Sequence, residues 1–138
     1  MIDKKMSILV VDDFNSMRTQ IKEMLKEMGF KSILEAHDGQ EATFVLENKK
    51  VDFIISDWNM PNVDGITLLR HVRGHPVYKD LPFLMVTAVS ERKEVMEAVA
   101  AKVSNYIVKP FAPQALEAKI RGIFGCTEPL WEKGSRWR

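Results

Sequence analysis

Three aspartates, a threonine and a lysine stand at the ends of short apolar runs. Asp12 and Asp13 follow Ile8-Leu9-Val10-Val11, Asp57 closes Phe53-Ile54-Ile55-Ser56, Thr87 closes Phe83-Leu84-Met85-Val86, and Lys109 follows Tyr106-Ile107-Val108. If these runs are neighbouring parallel strands, all five side chains reach one edge of one sheet. Open α/β sheets bind their ligands at that edge, beyond the strand C-termini. Three carboxylates brought together repel one another and resist full ionisation. A hard divalent cation relieves the repulsion, and an oxygen-only donor set suits magnesium or manganese better than zinc or copper. Lys109 adds a second positive centre. A cation, an ammonium and a hydroxyl around a carboxylate suit a phosphoryl group. The carboxylate can then be the nucleophile, forming an aspartyl phosphate. Positioning and charge on the equatorial oxygens supply most of the catalysis in such transfers.

Taken singly, each residue also has an ordinary use. Asp12 and Asp13 can solvate a strand end, and Asp57 can open the turn that contains Pro61. Thr87 suits a strand as a β-branched residue. Lys109 can be a solvated strand end, and Tyr106 can snorkel from the last strand. Their joint arrival at one edge is what points to chemistry. Other candidates are weaker. His71 and His75 have the i, i+4 spacing of helix-borne metal ligands, but Gly74 is placed to end that helix between them. Met17, Met24 and Met28 read as core, Cys126 as an incidental thiol, and Lys49-Lys50 as a solvated loop.

The elements that must position the site alternate in type. Ser7–Val11, Ser32–Ala36, Asp52–Asp57, Leu81–Thr87 and Asn105–Lys109 are short apolar runs of the kind buried on both faces of a parallel sheet. Between them, Met17, Ile21, Met24, Leu25 and Met28 share one helix face. Asn15 or Ser16 is expected to cap that helix and Gly29 to end it. A second helix spans Gln40–Glu47. Ile66, Leu69 and Val72 mark a third; Val95 and Val99, with Met96, a fourth; Leu116, Ile120, Ile123 and Phe124 a fifth. The fifth has Pro113 at its first turn and Gly125 after its end. Five strand–helix alternations predict a doubly wound α/β sheet with helices on both faces.

Composition agrees with one soluble domain. The chain has 138 residues, 46% hydrophobic and 28% charged, and a net charge of +1. So small a net charge creates no bulk field for nucleic acid or an anionic membrane. A single cysteine cannot form an internal disulfide, which fits a reducing, cytoplasmic compartment. No apolar run approaches the roughly 18 residues that would cross a bilayer, and the polar start is unlike a secretory segment.

Over about residues 5–125 the sequence resembles a response-regulator receiver domain, most closely the CheY chemotaxis type. The resemblance rests on Asp12-Asp13-Phe14, Asp57-Trp58-Asn59-Met60-Pro61-Asn62-Val63-Asp64-Gly65, Val86-Thr87-Ala88 and Asn105-Tyr106-Ile107-Val108-Lys109-Pro110-Phe111. It implies a flavodoxin-like fold with five strands in the order 2-1-3-4-5, an order general to this family, and five helices. It implies that Asp57 is the phosphoacceptor. Asp13, Asp57 and the backbone carbonyl of Asn59 would ligate Mg2+, and Asp12 would act largely through a metal-bound water. Thr87 and Lys109 would hold the phosphoryl oxygens, Tyr106 would be the switch aromatic, and Lys109-Pro110 would be cis.

The function so implied is that of a phosphorylation-controlled binding module, not a turnover enzyme. A histidine kinase would donate the phosphoryl group, and helix four, strand five and helix five would then bind a target such as the flagellar motor switch. Autodephosphorylation, with or without a separate phosphatase, would reset it. A phosphate sink or relay that binds no motor is a rival, as is a phosphatase of the haloacid-dehalogenase kind. The latter carries its nucleophile on the first strand in an Asp-x-Asp arrangement, and here that strand ends in the adjacent pair Asp12-Asp13. Two positions depart from the family's habit. Lys102 stands where many receivers have glycine, and Val89 where close relatives often have an acid. Residues 126–138 lie outside the strand–helix pattern and form a tail with Trp131 and Trp137. Exposed aromatic surface is unfavourable, so Trp131 is expected to pack on helices one and five or on a neighbouring chain. Lying over the helix four–strand five–helix five face, the tail would compete with a target.

Overall fold

The computed structural model describes residues 2–88, 92–132 and 135, without the side chains of Arg92 and Lys93. Val89, Lys133, Arg136, Trp137 and Arg138 are outside the described residues.

The chain alternates strand and helix throughout: β1 Ser7–Val11, α1 Asn15–Glu27, β2 Ser32–Ala36, α2 Gly39–Asn48, β3 Phe53–Asp57, α3 Gly65–Gly74, β4 Phe83–Thr87, α4 Arg92–Ala100, β5 Asn105–Val108 and α5 Pro113–Phe124. The sheet order is β2-β1-β3-β4-β5 and every pairing is parallel. Strand residues alternate between the two faces, as the period of two requires. Ile8, Val10, Phe53, Ile55, Leu84, Val86 and Ile107 join the core under α1 and α5. Leu9, Val11, Ile54, Phe83 and Met85 join the core under α2, α3 and α4. Both faces are buried, which is why the strands read as unbroken apolar runs.

The element ends show local competition. β3 begins at Phe53 because Asp52 is engaged with Ser7: its side chain accepts from the Ser7 N–H at 2.8 Å, and its own N–H donates to the Ser7 carbonyl. β4 begins at Phe83, after a proline that lacks a donor; the Pro82 carbonyl still accepts from Ile54. The N-cap of α1 is Phe14, without a side-chain bond, rather than Asn15 or Ser16. The Asn15 side chain instead accepts from Arg18 at 2.5 Å. Among the α4 residues whose side chains are described, the buried one is Ala98, whereas Met96 and Val99 are 59% and 62% exposed. The face marked by Val95 and Val99 therefore slides off the core. Lys102, just after α4, has φ 64°. That left-handed backbone costs a lysine roughly 1 kcal/mol relative to glycine. Lys109-Pro110 is cis.

The tail is tied to the N-terminal edge of the sheet. The Leu130 N–H donates to Glu117 Oε2 at 2.7 Å within the interior. Lys4 Nζ donates to the carbonyls of Leu130 and Met28, and the Glu132 N–H donates to the Glu27 carbonyl. Arg121 donates to the carbonyls of Cys126 and Thr127. Leu130 and Trp131, 2% and 5% exposed, join the core of α1 and α5. Among the described residues, no helix is long and apolar enough to cross a membrane.

Candidate functional site

The strand ends deliver their polar residues to one place. Carboxylate oxygens of Asp12, Asp13 and Asp57 all lie within 4.8 Å of one another. Asp12 and Asp57 are buried and Asp13 is partly exposed. Lys109 reaches in from the end of β5, with Nζ 3.1 Å from Asp57 Oδ1. That same oxygen accepts the Trp58 N–H at 3.0 Å, and Asp12 Oδ1 accepts the Phe14 N–H at 2.9 Å. Burial raises the Asp12 carboxyl to about 6 against the Phe14 bond, with the nearby Asp57 charge adding to the rise. Burial also raises Asp57, and the Lys109 ammonium opposes that rise.

Two oxygens bear on what the cluster can hold. Asp12 Oδ2 and Asp13 Oδ1 are buried with no hydrogen-bond partner among the described residues. A buried carboxylate oxygen without a partner is costly. Oxygen-only donors, excess negative charge and two orphaned lone-pair sites match the needs of a hard cation such as Mg2+.

Thr87 is buried at the end of β4. Its neighbour Val86 pairs in register with Asp57, and Thr87 itself pairs with Val108. Its carbonyl accepts the Lys109 N–H at 2.8 Å, so the backbone couples the two residues. Asn59 is exposed, two residues beyond Asp57. Tyr106 is half-buried on β5, beside the core of α4, with Lys119 Nζ 5.4 Å from its ring centre.

The response regulator receiver domain profile matches residues 8–121. The chain belongs to the response regulator receiver family. Its curated relatives include the chemotaxis protein CheY of Pseudomonas aeruginosa, 49% identical over 86% of this chain and 96% of that one. CheY-3 of Vibrio cholerae is 44% identical over 89% and 95%. Among solved structures, CheY4 of Vibrio cholerae matches with a TM-score of 0.80 and 32% identity over 86% and 98%. The receiver domain of the Pseudomonas aeruginosa sensor histidine kinase PA1611 matches with a TM-score of 0.78 and 26% identity over 88% and 98%. The latter structure holds a magnesium ion in its active site cleft.

Several residues support this receiver site through contacts that the sequence does not reveal. Arg18 Nη1 donates to the Asp12 carbonyl at 2.7 Å, and its Nε pairs with Glu35 at 3.2 Å. Lys22 joins the same carboxylate at 3.1 Å, and together the two cations lower Glu35 below its ordinary range. Asp38 caps α2 through the Glu41 N–H and accepts from Asn62 Nδ2 at 2.8 Å. Asn62 has φ 64°, and the Asp38 contact holds it in that conformation. Gly65 lets α3 start against Asp57: a Cβ there would lie 2.3 Å from the Asp57 carbonyl oxygen. Asp38-Gly39 and Asp64-Gly65 are visible as turn signals, but pairings such as Asp38 with Asn62 depend on tertiary structure.

His71 lies in the last turn of α3 and His75 is its C-cap. Their ring centres are 6.1 Å apart, and His75 stacks on Tyr78 while its Nδ1 accepts the Val77 N–H.

Proposed function

We propose that the protein is a chemotaxis-type response regulator that accepts a phosphoryl group on Asp57 from a histidine kinase. The observation that carries this reading is the convergence of three carboxylates, two with orphaned oxygens, beside the Lys109–Asp57 ion pair. In the transfer, an Asp57 carboxylate oxygen attacks phosphorus. The phosphorus–nitrogen bond of a phosphohistidine breaks and its electron pair leaves with the imidazole. Asp12, Asp13, Asp57 and the Asn59 carbonyl would hold Mg2+. When bound, the ion neutralises charge that develops on the phosphoryl oxygens. Lys109 holds one of those oxygens and Thr87 another, which orients the group for transfer and for later attack by water. Hydrolysis of the acyl phosphate returns Asp57 to its carboxylate.

The binding response rests on Thr87 and Tyr106. As Thr87 is drawn towards the phosphoryl group, it vacates space that the Tyr106 ring fills. The exposed Met96 and Val99 on α4 lie on the output face, which the flagellar motor switch or another target would read. A target shifts this equilibrium only by its differential affinity for the two states. The relatives' names carry the chemotaxis assignment; the chemistry of the site carries the phosphoacceptor assignment.

Asp57→Asn replaces the nucleophile by an amide and is expected to abolish labelling by acetyl phosphate, read by intact mass with Mg2+ present. Labelling of Asp57→Asn at the wild-type rate would remove Asp57 from its role. If only the wild-type protein, once phosphorylated, captures the motor switch, the output assignment holds. Equal capture of the unphosphorylated protein would leave a phosphate sink or relay.

A further inference from the structure

At the opposite edge of the sheet the C-terminal turns of α3 and α4 meet the chain that leads into β4. Between them is a cavity of about 720 Å3 lined by Arg70, Arg73, Lys79 and Lys102 against one carboxylate, Asp80. Its size falls within the range of small-molecule sites. Helix C-termini attract cations, and Arg73 answers that demand: its guanidinium donates to the carbonyls of Lys102, Lys79 and Leu81. Those three bonds join α3, the β4 approach and the exit of α4.

The other cations remain available. Arg70 pairs with Glu97 at 2.9 Å on an exposed surface, where such pairs hold weakly. Among the described residues, the Lys79 and Lys102 ammonium groups enter no hydrogen bond or ion pair, and both residues are exposed. Lys102 is also the residue held at φ 64°. A strained residue on the rim of a cavity is a pointer to function. Glycine would relieve the strain, whereas lysine adds a charge to the cavity.

We infer that this cavity between α3 and α4 binds a compact polyanion bearing two or more phosphate groups, with Lys79 and Lys102 as its principal contacts and Arg70 recruited from Glu97. The site lies at the opposite edge of the sheet from Asp57 and uses none of the residues around it. An inorganic phosphate chain and a nucleotide share the required chemistry.

The test is chemical-shift mapping of the full chain, free of divalent metal, titrated separately with tripolyphosphate, ATP and AMP. Saturable shifts at the amides of Gly74, Lys79, Asp80 and Lys102 are expected with tripolyphosphate and ATP, and weaker ones with AMP. Tighter binding of ATP supports a nucleotide, and tighter binding of tripolyphosphate an inorganic chain. The double variant Lys79→Ala, Lys102→Gly removes both principal contacts and should bind at least about tenfold more weakly. Its labelling by acetyl phosphate should be unchanged. Unchanged affinity in that variant, or shifts confined to the Asp57–Lys109 region, would overturn the inference. So would a glutamate-rich peptide that displaces tripolyphosphate at equal concentration, because the cavity would then serve an acidic protein segment.

Discussion

Asp12 combines a charge with a place that disfavours it. The residue is 1% exposed, one of its oxygens has no described partner, and burial raises its carboxyl to about 6. A folded-state value above the unfolded one means that proton binding favours folding. This contribution is complete below the ordinary carboxylate range and is lost as pH rises through about 6. The metal-free protein therefore becomes less stable between about pH 4 and 7 on account of this group. Asp12→Asn removes the titration and keeps the shape. It is expected to stabilise the metal-free protein at pH 7.5 by about 1–3 kcal/mol, since a tenfold change in proton affinity is worth about 1.4 kcal/mol. At pH 4.5 the gain should be small. Urea unfolding in a chelator at both values is the check, and the same gain at both would show that charge burial is not the cause. Magnesium should narrow the gap at pH 7.5, because it favours the ionised wild-type cluster and leaves the amide without equal benefit. Asp57 is raised in the same direction, but its bond to Lys109 compensates part of the burial.

At the scale of elements, the site depends on how the segment between β3 and α3 returns to the sheet. The Trp58 N–H donates to the Val86 carbonyl, and the Gly65 N–H to the Trp58 carbonyl. Asp64 then caps α3 through the Thr67 N–H at 3.0 Å. The helix can start this close only because Gly65 has no side chain. A Cβ there would also stand 2.9 Å from both Met85 Sδ and Trp58 Cα. Sulfur can move aside, but the Asp57 and Trp58 backbone cannot move without shifting the Asp57 carboxylate. Gly65→Ala is expected to cost about 1–3 kcal/mol, as overpacking does, and to slow labelling by acetyl phosphate. Asp64→Ala, which removes the cap and keeps the close approach, should cost about 1 kcal/mol and leave labelling nearly intact. The comparison fails if Gly65→Ala labels at the wild-type rate. α4 shows the opposite design, with Ala98 its buried residue among those whose side chains are described and Met96 and Val99 turned outward. An element anchored by so little apolar surface is a suitable part to move in a switch.

The whole molecule shows what a sequence exposes and what it conceals. Strands buried on both faces announce themselves as apolar runs, so sheet content and the arrival of Asp12, Asp13, Asp57, Thr87 and Lys109 at one edge are legible. The strand order comes from family resemblance. Val95 and Val99 do mark α4, but helical spacing alone does not say whether a face meets the core, and Val99 is exposed. The Asp38–Asn62 and Arg18–Glu35 contacts join residues 24 and 17 positions apart and carry no local signal. The same holds for the tail, whose tryptophan asks for a partner that only the folded α1–α5 side supplies. There Leu130 and Trp131 close the core above Met28 and Phe30, and Glu117 accepts the Leu130 N–H in the interior. These contacts lie at the N-terminal edge of the sheet, away from the carboxylates. Stability and chemistry should therefore separate. Trp131→Ala is expected to cost about 3 kcal/mol, the low end for loss of a buried tryptophan, and Glu117→Ala about 1–3 kcal/mol by stranding the Leu130 N–H. Both proteins, where still folded at low temperature, should be labelled by acetyl phosphate at close to the wild-type rate. Thermal unfolding followed by circular dichroism gives the first quantity and intact mass the second. A stable Trp131→Ala protein would show the packing to be dispensable. A folded one that labels far more slowly would show the tail coupled to Asp57 across the sheet, through the strands that join the two edges.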